Sequence, residues 1–139
     1  MSAQPAEQPA TEKTRAMIKL TFCLRRLPNM SRAAFQKHWR ENHAPLVEKH
    51  KNALRFSRYA QIHTLDDDLG KALADIRGAP APYDGVAEMY WSDRADLDAA
   101  VTSAEGRAAG RELLDDEKLF IDLSASPLWL GEEKISVHE

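Results

Sequence analysis

Residues 17–39 read MIKLTFCLRRLPNMSRAAFQKHW, and two different periods meet inside them. From Ile18 onward, Ile18, Leu20, Phe22 and Leu24 alternate with Lys19, Thr21, Cys23 and Arg25, the period of two that gives a strand one buried face. After a turn containing Pro28 the pattern becomes helical. Ser31 can cap the helix, Met30 before it can pack on Phe35 as a hydrophobic staple, and Phe35, Trp39 and Leu46 form an apolar stripe. The chain therefore begins strand, then helix.

Working outward, RFSRYAQIHTL (55–65) has strand character, and DDDLGKALADIRGAPAP (66–82) mixes acids, Gly and Pro around a short helix. DGVAEMYWS (84–92) is apolar on both faces, as expected of a strand near the middle of a sheet. Ser92 or Asp93 can cap a helix carrying Leu97, Ala100 and Val101, and Ser103 can cap a further piece carrying Leu113 and Leu114. SPLWLGEEKISV (126–137) reads as an edge strand with its proline near the start. Strand, helix, strand, strand, helix, strand is the βαββαβ order of an α+β, ferredoxin-like sandwich. Both helices should cover one face of an antiparallel sheet. The other face would then be bare, which predicts a homodimer.

At 139 residues the chain is long enough for one domain, and residues 1–16, rich in Pro, Ala, Gln and Glu without periodicity, read as a flexible tail before a domain over 17–139. No apolar run is long enough to cross a bilayer, and a net charge of −3 without an arginine-rich stripe argues against nucleic acid as a partner. The single cysteine, Cys23, has no intramolecular disulfide partner, and the N-terminus lacks the layout of a secretory signal. A cytoplasmic location is expected. No glycine-rich phosphate loop stands between a strand and a helix, so a nucleotide cofactor has no visible home.

The histidines of FQKHWRENHAPLVEKH (35–50) have the wrong spacing for a metal. His38 and His43, five apart, point roughly 140° from one another on an ordinary helix. His43 and His50 lie about two turns apart with Pro45 between them. No metal site is expected. His38 and His50 read as solvent-facing, whereas His43 follows Trp39 by four residues and faces inward. Pro45 disfavours helix at Ala44, so a bend is expected directly after His43. An inward histidine beside a bend is either an acid/base group opening on a pocket or a strut bonded to a backbone carbonyl.

The stretch MIKLTFCLRRLPNMSRAAFQKHWRENHAPLV (17–47) closely resembles the start of EthD-domain proteins in its LRR strand end, its HW pair on the first helix and its HAPL helix end. The likeness continues more weakly through RYAQIH and DGVAEMYW. It implies a dimeric α/β barrel in which two four-stranded sheets pack face to face, each protomer keeping a cleft between sheet and helices. It further implies a cofactor-independent enzyme of isomerase, cyclase, dehydratase or lyase type acting on a small apolar cyclic or aromatic carbonyl compound, with His43 matching the family's helix-end histidine. Two alternatives stand beside this: an oxidoreductase or oxygenase-accessory role in ether or aromatic degradation, and a non-enzymatic dimer that binds a small ligand.

Catalytic candidates are His43 as acid/base, Tyr59 as donor to a developing oxyanion and His63 as proton shuttle, since Tyr59, Gln61 and His63 alternate onto one strand face. Substrate-binding candidates are Trp39, Arg25, Asp84, Glu88 and Trp91. Each has a plainer reading: core or interface aromatics for Trp39 and Trp91, a turn for Asp84, and a cross-strand ion pair of Glu88 with Lys19 or Arg25.

Overall fold

The alternation of residues 18–24 becomes β1 (Ile18–Leu24), and Ser31 Oγ accepts from the Ala34 N–H at 3.0 Å to start α1 (Arg32–His38). The computed structural model describes residues 17–137; the expected tail over 1–16 lies outside the described residues. A π-helical turn (Trp39–His43) follows α1 and runs on into α2 (Ala44–Lys49) and the short α3 (Lys51–Leu54). Then come β2 (Arg58–His63), α4 (Asp68–Ile76), β3 (Gly85–Trp91), α5 (Arg94–Thr102), α6 (Ala104–Glu117) and β4 (Leu128–Glu132).

The four strands form one antiparallel sheet in the order β2-β3-β1-β4, the split βαβ arrangement of a ferredoxin-like fold. β3 is central and β4 is an edge, as expected. Period two decides the faces. Leu20, Phe22 and Leu24 look toward the helices with their partners Met89 and Ala87, while Lys19, Thr21 and Glu88 look the other way.

Two apolar clusters join the helices to that face. Val47, Leu54, Leu97 and Leu113 meet Trp91 in one; Phe35, Trp39 and Phe120 meet Phe22 and Leu24 in the other. Burying a side chain of this size contributes about 1.5–3 kcal/mol, so these two clusters are what hold the helices to the sheet. The broken second helix arises as read: Asp93 caps α5 and Ser103 caps α6, its Oγ accepting from the Gly106 N–H at 3.0 Å. A Cβ at Gly106 would collide with the Ala100 carbonyl, so the tight α5–α6 turn requires glycine there.

The bend expected after His43 does not form. His43 (φ −76°, ψ −42°) and Ala44 (φ −58°, ψ −45°) are both helical. The Ala44 N–H bonds the Trp39 carbonyl five residues back, so the turn holds one extra residue. Such widening accommodates Pro45, which lacks an N–H and whose ring crowds the carbonyl of residue 41 in a regular helix. The chain stays helical because the π turn absorbs the proline.

Candidate active site

Between the sheet and the helices lies a cavity of about 220 Å³. Its walls are apolar, from Leu20, Phe22 and Met89 on the strands to Val47 and Leu113 on the helices. Val101 and Leu128, 60 % and 52 % exposed, also border it and mark its mouth between α5 and β4. Three titratable side chains line it among the described residues: His43, Tyr59 and Glu117.

His43 is buried, and its Nδ1 lies 2.7 Å from Asp116 Oδ2. A carboxylate only accepts, so Nδ1 carries the hydrogen and, in the neutral ring, Nε2 is a bare base. Nε2 has no hydrogen-bonding partner, its nearest carboxylate oxygen being Glu117 Oε2 at 3.9 Å. No polar side-chain atom among the described residues is fully buried without a partner, so Nε2 is accessible from the cavity. Burial lowers the pKa of His43, against the raising pull of the Asp116 carboxylate and with a further lowering from His38. The imidazole is therefore neutral at neutral pH.

His38 Nε2 also meets Asp116, at 3.1 Å, and His50 Nε2 meets Glu112 at 2.7 Å. Both histidines are half-buried partners of α6 carboxylates, in contrast to the solvent-facing reading. The π turn is the reason for the first. Residues five apart diverge on an α-helix but lie one turn apart on a π turn, so His38 and His43 reach the same carboxylate.

Glu117 follows Leu113 by four residues on α6, on the face that packs into the core. Burial, with the neighbouring Asp116 charge adding to it, pushes its carboxyl up to about 7. Asp116 and Glu117 were not among the sequence candidates. The signal that was available is a glutamate in phase with Gly106, Ala109 and Leu113, a charged residue at a core position.

Tyr59 lies on the cavity wall, where burial raises its pKa and keeps it a phenol. Its oxygen accepts from Gln61 Nε2 at 2.9 Å, and Gln61 Oε1 meets His63 Nε2 at 2.8 Å, so the polar line expected on β2 exists. His63 does not border the cavity; its ring stacks on Trp39 with centroids 4.4 Å apart, and burial lowers its pKa. Trp39 and Trp91 do line the cavity. The Trp39 indole lies over Gly85, where a Cβ would overlap it, so a glycine at the start of β3 makes room for this wall.

The structure does not bring Arg25, Asp84 or Glu88 to the cavity. Arg25 lies over the Tyr83 ring, 4.2 Å from its centroid. Asp84 is buried and accepts from the Arg26 N–H, the Arg26 guanidinium and Arg32 Nε; burial pushes its pKa up, but these bonds outweigh it and hold the carboxyl low. Glu88 is on the opposite sheet face, 2.8 Å from Lys19 Nζ. There, burial raises its pKa and the Lys19 and Tyr90 hydrogen bonds overcome that rise. The plainer readings of Asp84 and Glu88, as turn anchor and cross-strand ion pair with Lys19, describe where they are, whereas Arg25 takes no part in that pair.

Among the described residues, no group of three or more His, Cys, Asp or Glu is arranged to hold a metal ion, and no helix is long and apolar enough to cross a membrane.

Topology and cavity together define an α+β, ferredoxin-like domain with a small apolar chamber under its helices. The EthD domain family matches residues 27–124, and the chain belongs to that family. Among solved structures it is similar to an ethyl tert-butyl ether D (EthD) family protein of Bacillus halodurans, at 24 % identity and a TM-score of 0.55, over 85 % of this chain and 99 % of that one. It is also similar to a dimeric protein of unknown function with a ferredoxin-like fold from Bacteroides fragilis, at 8 % identity and a TM-score of 0.51, over 84 % and 96 % of the two chains. A hydroxynitrile lyase from Passiflora edulis matches at 9 % identity and a TM-score of 0.51, over 88 % and 99 %. At these identities the likeness is one of fold. No curated relative matches the chain.

Proposed function

We propose that this protein is a cofactor-independent acid/base enzyme acting on a small, largely apolar carbonyl compound, by an isomerisation, cyclisation, dehydration or lyase step. The observation that carries the reading is the Asp116–His43 pair, a neutral imidazole oriented by a carboxylate at 2.7 Å with its free nitrogen open to an apolar cavity. This is the geometry of a general base: the carboxylate fixes the tautomer and stabilises the imidazolium that forms. Tyr59, kept protonated by burial, donates to the oxygen on which negative charge develops. Trp39 and Trp91 offer flat apolar walls to a ring.

The protein acts as a homodimer in this reading. Ile62 and Trp129, 46 % and 49 % exposed, stand on the sheet face away from the helices, where a second sheet would cover them.

The test uses cyclohexanone in deuterium oxide, with α-proton exchange followed by NMR. The wild-type protein should accelerate exchange, and His43→Ala should lose about 10²-fold or more of that acceleration while keeping its fold, the low end of what a positioned base contributes. Wild-type exchange at full rate in His43→Ala sinks the reading. Saturable binding of the ketone without any exchange would make the protein a binding module.

A further inference from the structure

Glu117 has no structural partner that accounts for it. It forms no side-chain hydrogen bond among the described residues, although its side chain is only 18 % exposed and borders a chamber of leucine, valine and phenylalanine. A buried, unpaired carboxylate costs several kcal/mol, and burial of the neutral acid costs far less. The position is therefore suited to a carboxylic acid that holds its proton near neutral pH, and burial does hold it so, up to about 7. Directly across from it, at 3.9 Å, is His43 Nε2, which burial keeps as a free base. One acid and one base thus face the same chamber.

We propose that Glu117 is the proton donor of the cavity, handing its proton to a neutral carbonyl-bearing ligand while His43 takes one from it. The inference rests on the acid/base reading of His43. The steps balance without any co-reactant. A C–H bond next to the ligand carbonyl breaks, its proton going to His43 Nε2 and its electron pair forming the enolate held by Tyr59. The Glu117 O–H bond then breaks, and its proton goes either to a remote carbon, completing an isomerisation, or to a departing hydroxyl, completing a dehydration. Imidazolium and carboxylate are left facing each other, and proton return across the gap restores both.

The same cavity selects for charge. No lysine or arginine lines it among the described residues, and its acidic neighbours are Glu117 itself and, behind His43, Asp116. The other groups that bear on the pair are His38 on the far side of Asp116, the Tyr59 phenol, and Arg40, which acts on Tyr59 and His63. An anionic ligand would meet no counter-charge inside. The ligand class is neutral: an unsaturated or hydroxylated cyclic ketone, or a compound of like polarity.

The experiment uses the full chain and 3-cyclohexen-1-one, whose conversion to 2-cyclohexen-1-one needs a proton removed at the α-carbon and one delivered at the γ-carbon. Wild-type protein should catalyse it, and Glu117→Gln should lose roughly 10²-fold or more without a fall in thermal stability. If Glu117→Gln keeps the wild-type rate while His43→Ala loses it, the role of Glu117 is overturned and that of His43 stands. If His43→Ala keeps the rate, the underlying reading falls as well. A second measurement decides even without turnover of this ketone. The Glu117 carboxyl carbon, followed by NMR against pH, should titrate near neutrality and respond to added cyclohexanone; titration together with the surface carboxylates overturns the proposal.

Discussion

A glutamate on a core face is the most informative single residue here, because burial makes it costly whatever it does. Glu117 sits where leucine would stabilise α6 better, and its proton affinity carries the cost. With its carboxyl raised from 4.5 to about 7, the folded protein binds more protons than the unfolded chain between those values, so stability falls as pH rises through them. Glu117→Gln, neutral at every pH, should therefore match the wild type at pH 4 and exceed it above pH 7, by about 3 kcal/mol at most. Urea unfolding at pH 4 and pH 8 checks this; an equal effect at both pH values would mean that Glu117 does not hold its proton. His43 has the opposite sign. Its lowered pKa means that the fold prefers the neutral ring, and the stability this confers is lost as pH falls below the ordinary histidine value of 6.5.

Among the elements, the segment from His38 to Ala44 shows how a local irregularity builds a site. An uninterrupted α-helix would send His38 and His43 to different sides, and one extra residue per turn sends both to Asp116. Pro45 was legible in the sequence as a disturbance, but whether a proline ends a helix or widens it depends on what the freed carbonyls meet, which is a tertiary matter. Helix starts were more legible, because a cap is a contact over two or three residues. Ser103→Ala should cost about 1 kcal/mol, since its Oγ holds the Gly106 N–H at the junction of α5 and α6. Chemical denaturation should show a lowered midpoint with an unchanged slope; a slope change would mean that the junction breaks as a separate unit.

For the whole molecule, the helix-covered face and the open face of the sheet have different tasks. One builds the chamber. The other carries Lys19–Glu88 and Tyr90, with Lys19 and Arg58 each near the Tyr90 ring, beside exposed Ile62 and Trp129. Trp129→Lys should convert a dimer formed through this face into monomer at micromolar concentration while leaving the cavity residues in place. Sedimentation velocity reads the outcome, and an unchanged dimer would move the interface elsewhere, with the exposed face of α4, Leu69, Leu73 and Ile76, the next surface to test.

The order of elements, the buried face of β1, the capping serines and the inward direction of His43 were all determined by sequence alone, because each depends on periodicity or on contacts between near neighbours. The family motif around His43 belongs with them. Which residues share the cavity was decided only by the tertiary structure. Asp116 and Glu117 lie more than seventy residues from His43, and no local pattern ties a helix-end carboxylate to a distant imidazole. Asp84 and Glu88 had the right chemistry for a site, but Asp84 found Arg26 and, on α1, Arg32, and Glu88 found Lys19 on the neighbouring strand. A carboxylate's role follows from what it faces once the chain is closed: paired it anchors, and unpaired in an apolar wall it holds a proton.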